Sequence, residues 1–259
     1  LGDVYKRQVR QPQVLDFLKE TENSILCLQE LKMQEADIDA AAFKKVGYTL
    51  DAFGQKTYNG VATILRDPLT FLPDEEVRNI PGFEDPQSRL LATTVQVGSE
   101  KLRVINGYFP NGETVESEKF PYKLAWLEAL VQWLPSQLEE YPNLVLLGDF
   151  NIAPEDRDVW DPESWAESVL CTPKAREAFQ RLIDLGLTDS FRVFEQPEKS
   201  YSWWDYRMMA FRRNRGLRID HILISEALAS KNLGVEIHKK VRGNERPSDH
   251  APVTLTLDL

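Results

Sequence analysis

An apolar run that ends at two polar residues, Asp149 and Asn151, is the feature of this sequence that most constrains its fold. Residues 144–148 read Leu-Val-Leu-Leu-Gly, which is typical of a strand buried on both faces. Side chains two residues apart on a strand point to the same face, so the carboxylate and the carboxamide would leave the strand side by side. Two interpretations follow: a pocket holding two polar groups, or a buried strand running into a turn that Asp and Asn cap.

Length and composition limit the remaining possibilities. The chain has 259 residues, 42% of them hydrophobic, which is enough to bury a large core, and we expect a single domain over residues 9–259. No apolar run reaches the ~18 residues that a membrane-spanning helix needs. Two cysteines are too few for a disulfide framework or a zinc cluster, which favours a cytoplasmic protein. The net charge of −10 argues against non-specific coating of nucleic acid.

Strand patterns outnumber helical ones along the chain. This balance indicates an α/β fold in which two packed sheets are flanked by helices. We predict helices from residue 9, over 37–45, within 116–140 and over 173–185, and strands over 24–30, 48–53, 61–65, 90–97, 101–107, 144–149, 201–204, 217–224, 235–237 and 253–257.

Several of these strands end in a residue that can take part in catalysis. Glu30, Tyr108, Asp149 and the Asp220-His221 pair each follow an apolar or β-rich run, whereas Ser248-Asp249-His250 precedes a strand. Binding groups in α/β proteins gather on the loops at one edge of a sheet, so we expect these side chains to converge.

The residue types favour metal-assisted hydrolysis. Glu30 and Asp249 are hard oxygen donors suited to Mg²⁺, with Mn²⁺ as an alternative, and there is no Cys/His set for zinc. His250 could pair with Asp220 and keep its other nitrogen for a phosphate oxygen or a water. Asp149 would then orient or deprotonate a water.

Each of these residues also has a structural interpretation when it is taken alone. Glu30 could be a solvated acid at a strand end, and Tyr108 could be a packed aromatic. His221 continues an apolar strand, so we interpret it as structural. The joint occurrence of the segments is what favours a site.

A basic run from Lys199 to Arg218 is interleaved with aromatic residues. This run contains six basic residues and only one acidic residue, Asp205. Cations placed on phosphates and flat rings that stack on bases are what a binder of DNA ends or lesions needs. The alternative is that about half of these aromatics belong to the core.

Six segments resemble the exonuclease III family of bacterial DNA-repair nucleases, within the larger endonuclease/exonuclease/phosphatase superfamily. They occur in the family's order, and they are Leu28–Glu30, Tyr108–Gly112, Gly148–Asn151, Tyr201–Arg207, Gly216–His221 and Ser248–Pro252. The resemblance implies a four-layer α/β sandwich of two mixed sheets packed face to face between helices. It also implies roles for individual residues: Glu30 and Asp249 as metal ligands, Tyr108 on the phosphate or leaving group, Asp149 and Asn151 on the nucleophile, and Asp220 with His250 as a carboxylate–imidazole pair.

The same resemblance implies a substrate and an activity. The function expected is a monomeric Mg²⁺-dependent phosphodiesterase on duplex DNA, a 3′-to-5′ exonuclease that also cleaves abasic sites and cleans 3′ ends in base excision repair. The residues expected to face DNA are Arg89, Lys119, Trp203 or Trp204, Arg207, Arg213 and Asn214. The alternatives are a lipid or inositol phosphodiesterase relative and a non-catalytic nucleic-acid-binding regulator of the same fold.

The N-terminus departs from the family pattern. Members of the family begin with a core strand ending in Trp-Asn-Ile-Asn, whose first Asn belongs to the active site, and residues 1–8 stand in its place. We expect residues 1–8 not to be native. A missing central strand exposes apolar surface and leaves backbone groups unpaired, so we expect lower stability and weaker activity than with the strand present.

Overall fold

The structure, a computed structural model, describes residues 10–259. The chain divides into two compact units, Leu1–Tyr108 and Phe109–Leu259, which are taken in turn. The expectations for residues 1–8 and for the strand in their place lie outside the described residues, and a single domain over residues 9–259 stays a prediction. Within the described part of the chain, no helix combines the length and hydropathy required to cross a membrane.

The first unit contains two groups of antiparallel strands. In one group β3 lies between β1 and β2, and in the other β6 pairs with β4, β5 and β7. The elements are α1 (Arg10–Thr21), β1 (Ile25–Gln29), α2 (Ala40–Lys45), β2 (Tyr48–Phe53), β3 (Val61–Arg66), β4 (Thr70–Phe71), β5 (Val77–Arg78), β6 (Leu90–Val97) and β7 (Glu100–Tyr108).

Strand β3 is buried because both of its faces are covered. Ile64 packs with Leu18 of α1 and Phe43 of α2. The amide of Asn106, on β7, donates hydrogen bonds to the carbonyl oxygens of Ala62 at 2.9 Å and Leu28 at 3.2 Å. This buried amide is therefore satisfied, and it ties β7 to β1, which ends beside Glu30, and to β3.

The second unit contains the remaining elements. They are α3 (Lys119–Glu140), β8 (Leu144–Asp149), α4 (Pro162–Trp165), α5 (Pro173–Asp184), β9 (Leu187–Asp189), β10 (Asp220–Ser225), α6 (Glu226–Ala229), β11 (Asn232–Ile237) and β12 (Val253–Leu257). Strand β10 is antiparallel to both β8 and β9, and β11 is antiparallel to β12.

The two long helices of this unit begin and end where the sequence signals them. Helix α3 carries Pro121 in its first turn, where a missing N–H costs little, and buries its apolar stripe. Helix α5 begins after Thr172, whose hydroxyl accepts a hydrogen bond from Ala175 N at 3.3 Å, and Gly186 follows its end with φ +97°.

The strand predicted over Tyr201–Trp204 is wrong. Trp203 makes only isolated bridges, to Leu217 and His250. The Ser202 hydroxyl accepts hydrogen bonds from the N–H groups of Ile219 and Asp220, both at 3.1 Å. In a regular strand pair these two N–H groups would instead donate to backbone carbonyl oxygens of the neighbouring strand. Regular pairing on β10 therefore begins only at Asp220, and the strand predicted from residue 217 is shorter than expected.

A buried ionic network lies beside the start of β10. The guanidinium of Arg218, only 1% exposed, donates to Asp158 Oδ1 at 2.7 Å and to Asp189 Oδ2 at 2.8 Å. It also donates to Nδ1 of His221 at 3.0 Å, and His221 Nε2 contacts the carbonyl oxygen of Ile152 at 2.8 Å. Arg218 is thus an internal anchor and not part of a basic surface.

Candidate active site

Asp149 and Asn151 meet through a turn at the end of β8. The N–H of Asn151 donates to Asp149 Oδ1 at 2.9 Å, and Asn151 has φ +51°. The side-chain Nδ2 of Asn151 donates to Asp149 Oδ2 at 3.2 Å. The prediction was that the side chains of Asp149 and Asn151 share one face of a strand. Strand β8 ends at Asp149, however, and the two side chains meet through the turn that follows it. The turn and the polar pair, which were alternatives in the sequence, are one structure.

Asn111 fixes the orientation of the Asn151 amide. Its Nδ2 donates to Asn151 Oδ1 at 2.8 Å, while Asn151 Nδ2 also donates to the carbonyl oxygen of Phe109 at 3.0 Å. Oxygen and nitrogen of the Asn151 amide are thus assigned by their partners. Asn111 lies within the 108–112 motif, but its residue type alone gave no role in the sequence.

Asp220 and His250 form the expected carboxylate–imidazole contact. Nδ1 of His250 lies 2.9 Å from Asp220 Oδ2 and 3.0 Å from Oδ1. Asp220 is the first residue of β10 and lies directly opposite Asp149 in the register. The sequence placed Asp220 at the end of a strand; because β8 and β10 are antiparallel, the end of one meets the beginning of the other.

His250 lies between two carboxylates. Its Nε2 is 3.8 Å from Asp149 Oδ2, on the side of the ring away from Asp220. Burial alone would lower the pKa of His250, but attraction to Asp220 and Asp149 outweighs burial and raises the pKa to about 10. The imidazole is therefore protonated at neutral pH and carries an N–H on both nitrogens.

The segment that carries Asp249 and His250 is held by residues 202–204. Trp204 N donates to the Asp249 carbonyl oxygen at 3.0 Å, and Ala251 N donates to the Ser202 carbonyl oxygen at 2.7 Å. The indole Nε1 of Trp203 donates to Asp249 Oδ2 at 3.0 Å. Trp203, expected to be a DNA contact, thus orients an acid with its one polar atom.

Glu30 and Tyr108 are in contact within the first unit. The Tyr108 hydroxyl donates to Glu30 Oε1 at 2.6 Å, and Lys32 Nζ lies 3.1 Å from Glu30 Oε2. Glu30 follows β1 with φ +54°, and the next residue, Leu31, donates its N–H to the Gly60 carbonyl oxygen at 3.1 Å. The acid is therefore held at the end of β1, a half-buried strand. Lys32 was not singled out in the sequence, where it looks like an ordinary surface lysine.

The donor chemistry suits a hard divalent cation. Asp149, Asp220 and His250 offer ligand atoms within 4.8 Å of one another. The imidazole of this group is committed to Asp220, however, so the group fits a carboxylate–imidazole relay better than a cation site. The other two acids, Glu30 and Asp249, each accept a hydrogen bond from a neutral donor and offer carboxyl oxygens, the ligand atoms that Mg²⁺ prefers.

Three of the residues expected to face DNA have side-chain atoms that bind other parts of the protein, and their contact with DNA stays a prediction. Arg89, 8% exposed, donates to the Tyr108 carbonyl oxygen and to the side chain of Gln87. Trp204 is 0% exposed, and its Nε1 donates to Asn214 Oδ1 at 3.2 Å. Asn214 Nδ2 in turn donates to the Lys199 carbonyl oxygen at 3.1 Å, so both polar atoms of its amide bind within the protein.

The other DNA candidates stay at the surface. Arg207 and Arg213 are exposed on the loop that follows Trp204. Lys119 is 68% exposed and pairs with Glu113, with Nζ and Oε2 2.9 Å apart. Trp203 is partly exposed and lies edge-on to Trp165, with ring centroids 6.1 Å apart.

Known proteins of the same kind were found by sequence and by structure. The description "Endonuclease/Exonuclease/phosphatase family" fits residues 8–250. Exodeoxyribonuclease III of Haemophilus influenzae is 35% identical over 255 residues, covering 95% of this chain and 94% of that protein. Exodeoxyribonuclease of Bacillus subtilis is 31% identical over 252 residues, covering 97% and 94%.

Two solved structures share the fold over nearly the whole chain. The 3′-5′ exonuclease NExo from Neisseria meningitidis is 45% identical with a TM-score of 0.91, covering 97% of this chain and 96% of that one. An AP endonuclease from Archaeoglobus fulgidus is 32% identical with a TM-score of 0.87, covering 95% and 93%. These likenesses confirm the predicted α/β sandwich and the resemblance to exonuclease III, and the chain belongs to the Endonuclease/Exonuclease/phosphatase family.

Proposed function

We propose that this protein is a metal-dependent DNA-repair nuclease that hydrolyses phosphodiester bonds in duplex DNA. It would remove nucleotides 3′ to 5′, cleave at abasic sites and clear blocked 3′ ends. The names of its relatives support this reading: two are exodeoxyribonucleases, one is an AP endonuclease, and one structure of NExo, described as a 3′ phosphatase, is bound to a product DNA hairpin.

The position of His250 is the observation that carries the proposal. Its Nδ1–H is held by Asp220, and its Nε2–H faces Asp149 across 3.8 Å, which is longer than a hydrogen bond. A phosphate oxygen or a water that accepts from Nε2 would therefore lie beside the Asp149 carboxylate. An imidazolium next to an ionised acid is suited to stabilise a charged phosphorus centre while the acid takes a proton from water.

Asp149 and Asn151 would act on the water. The Asn151 N–H and amide both donate to Asp149, which fixes the orientation of its carboxylate. General-base catalysis by a positioned carboxylate contributes about 10²–10⁴-fold to the rate. Tyr108 would contact the phosphate or the leaving oxygen.

The metal would be held by Glu30 and Asp249, with Mg²⁺ preferred and Mn²⁺ accepted. When bound, such an ion neutralises charge on the phosphate and stabilises the leaving oxygen. The protein orients these two acids through Tyr108 Oη and Trp203 Nε1 respectively. Conservative loss of either donor should therefore weaken metal binding without removing an acid.

The DNA surface would be built from exposed cations near the second-unit site. Arg207, Arg213 and Lys119 would contact phosphates, each contributing to salt-dependent affinity. Trp203 would offer its exposed edge to the sugar or base beside the scissile bond. We further propose that the enzyme is monomeric and cytoplasmic. The cytoplasmic location is supported by the two free cysteines, because reduced thiols persist in that compartment.

One assay separates this function from its rivals. Purified protein is given a duplex with a recessed 3′ end, a duplex with an abasic site, and a phosphoinositide, each with Mg²⁺ and with excess chelator. We expect Mg²⁺-dependent cleavage of the two duplexes and no release of phosphate from the lipid. Binding of the duplexes without cleavage would favour a non-catalytic regulator, and hydrolysis of the lipid alone would favour a lipid phosphatase.

A further inference from the structure

Lys123 is a fully buried lysine that the roles above do not use. It lies in the second turn of α3 and is 0% exposed. Its Nζ donates to three backbone carbonyl oxygens: Asn151 at 2.7 Å, Val169 at 2.8 Å and Asn111 at 3.2 Å. An ammonium has three N–H donors, and each of the three goes to a different loop.

The ammonium holds both members of the Asn111–Asn151 pair by their backbones. Asn151 is in the left-handed conformation, and its N–H is already bound to Asp149 Oδ1. The bond from Lys123 to the carbonyl oxygen fixes the other side of the same residue. Lys123 also binds the Asn111 carbonyl oxygen. The lysine Nζ therefore fixes the backbone positions of both Asn111, the donor of the amide–amide hydrogen bond, and Asn151, its acceptor.

The surroundings are built to admit this side chain. Gly112 has φ +93°, and a Cβ there would lie 3.2 Å from Lys123 Cδ and 3.3 Å from Phe120 Cδ2. A side chain at residue 112 would be strained at this φ and would press on the lysine stem, so glycine lets the loop after Asn111 close on Lys123. An apolar residue at position 123 would fill the same space but would leave three carbonyl oxygens without their donor.

Charge adds to the positional effect. Burial lowers the pKa of Lys123 to about 7, and attraction to Asp149 opposes that shift. Lys123 therefore interacts with Asp149 through charge as well as through the Asn111–Asn151 pair.

We propose that Lys123 is a positioning residue for catalysis: its ammonium fixes the Asn111–Asn151 amide pair and, through it, the Asp149 carboxylate. Lys123 is fully buried, so it would not contact the substrate and would act only through Asn111, Asn151 and Asp149. The inference rests on the proposed nuclease function for its effect on rate, but the positioning itself can be measured without activity.

The test compares Lys123→Met with Leu134→Ala, a change at another fully buried site on the same helix. We expect kcat on a recessed 3′ duplex to fall about 100-fold in Lys123→Met, the effect of a small misplacement of reacting groups, with KM within about threefold. Leu134→Ala should lose stability but keep kcat per folded molecule within about twofold. In amide NMR spectra, the side-chain signal of Asn151 should move in Lys123→Met and stay in place in Leu134→Ala.

A kcat within about twofold of the parent in Lys123→Met, or an unmoved Asn151 signal, would overturn the proposal. If Lys123→Met does not fold, Gly112→Ala replaces it, with Gly186→Ala as its control, since Gly186 has φ +97° but nothing within 4 Å of its Cβ position. The Asn151 signal should move in the first and not in the second; equal behaviour of the two would refute positioning. If the parent protein fails to cleave DNA, the proposed function is refuted. The positioning role of Lys123 is then tested by the NMR result alone.

Discussion

Replacing Arg218 by methionine separates an internal anchor from a DNA contact. In the sequence Arg218 closes the basic run, whereas in the structure it donates to Asp158, Asp189 and His221 and is 1% exposed. Burial alone would lower the pKa of Arg218, and the two carboxylates more than offset that effect. Methionine keeps much of the volume and removes the charge, so Asp189 would lose its buried partner.

The magnitude follows from the network. Removing one partner of a buried ion pair costs about 3–5 kcal/mol, because an uncompensated charge is left behind. Arg192 still pairs with Asp158, which places the cost at the lower end, about 3 kcal/mol. For a chain of this size, about 2–4 °C of Tm is lost per kcal/mol, so Tm should fall by roughly 6–12 °C.

Urea unfolding followed by tryptophan fluorescence gives the stability, and the salt dependence of DNA binding gives the role. Arg213→Ala, at an exposed position, is the matched control. The control should keep its stability and reduce the slope of log affinity against log salt by about one, whereas Arg218→Met should leave the slope unchanged. A loss of less than about 1 kcal/mol in Arg218→Met, or a reduced slope, would refute the internal assignment.

Three further outcomes follow from the geometry. Tyr108→Phe removes the hydroxyl that donates to Glu30 at 2.6 Å and should lower kcat about 10-fold or more, with a raised Mg²⁺ requirement seen by metal titration. Trp204→Ala, at a site with 0% exposure, should cost about 3–5 kcal/mol in urea unfolding and leave the salt slope of DNA binding unaltered. Burial and the nearby Arg218 lower the pKa of His221 from 6.5 to about 3, so between these pH values His221 is protonated in the unfolded chain and neutral in the folded one. The free energy of unfolding should therefore fall as the pH drops from about 6.5 towards 3, by on the order of 4 kcal/mol. His221→Gln should flatten that pH dependence.

Periodic segments were predictable because their burial follows a simple repeat. Strands β2, β6 and β12 begin and end at the predicted residues, and helices α3 and α5 differ by a few residues at most. Tyr201–Trp204 failed because the Ser202 hydroxyl replaces a strand partner, an interaction with residues 17 and 18 positions away that no local pattern reveals.

The site was predictable where chemistry alone picks out a residue. An acid and an imidazole before a strand indicated the His250–Asp220 contact, which the structure contains at 2.9 Å. The catalytic and metal-binding roles remain predictions. Charge at Arg89 and Arg218 gave no information on burial, because their partners are fixed by tertiary packing; Asp158 lies 60 residues before Arg218.

The position of Lys123 in the sequence indicates that it is buried, although the sequence analysis did not single it out. It lies three residues after Phe120 and four before Leu127, both buried, so it falls on the apolar stripe of α3. A lysine on a buried stripe needs acceptors, but the three carbonyls come from loops that the sequence does not bring together. Its partners could be identified only from the structure.

The most direct test of the account is the single-turnover rate of Asp149→Asn on a duplex with a recessed 3′ end. The substitution keeps the shape of the side chain and removes the carboxylate that faces His250 across 3.8 Å. We predict a rate per folded molecule about 10²–10⁴-fold below the parent, with duplex affinity within about threefold. Cleavage within about tenfold of the parent would contradict the assignment of Asp149 to the water and, with it, the site described.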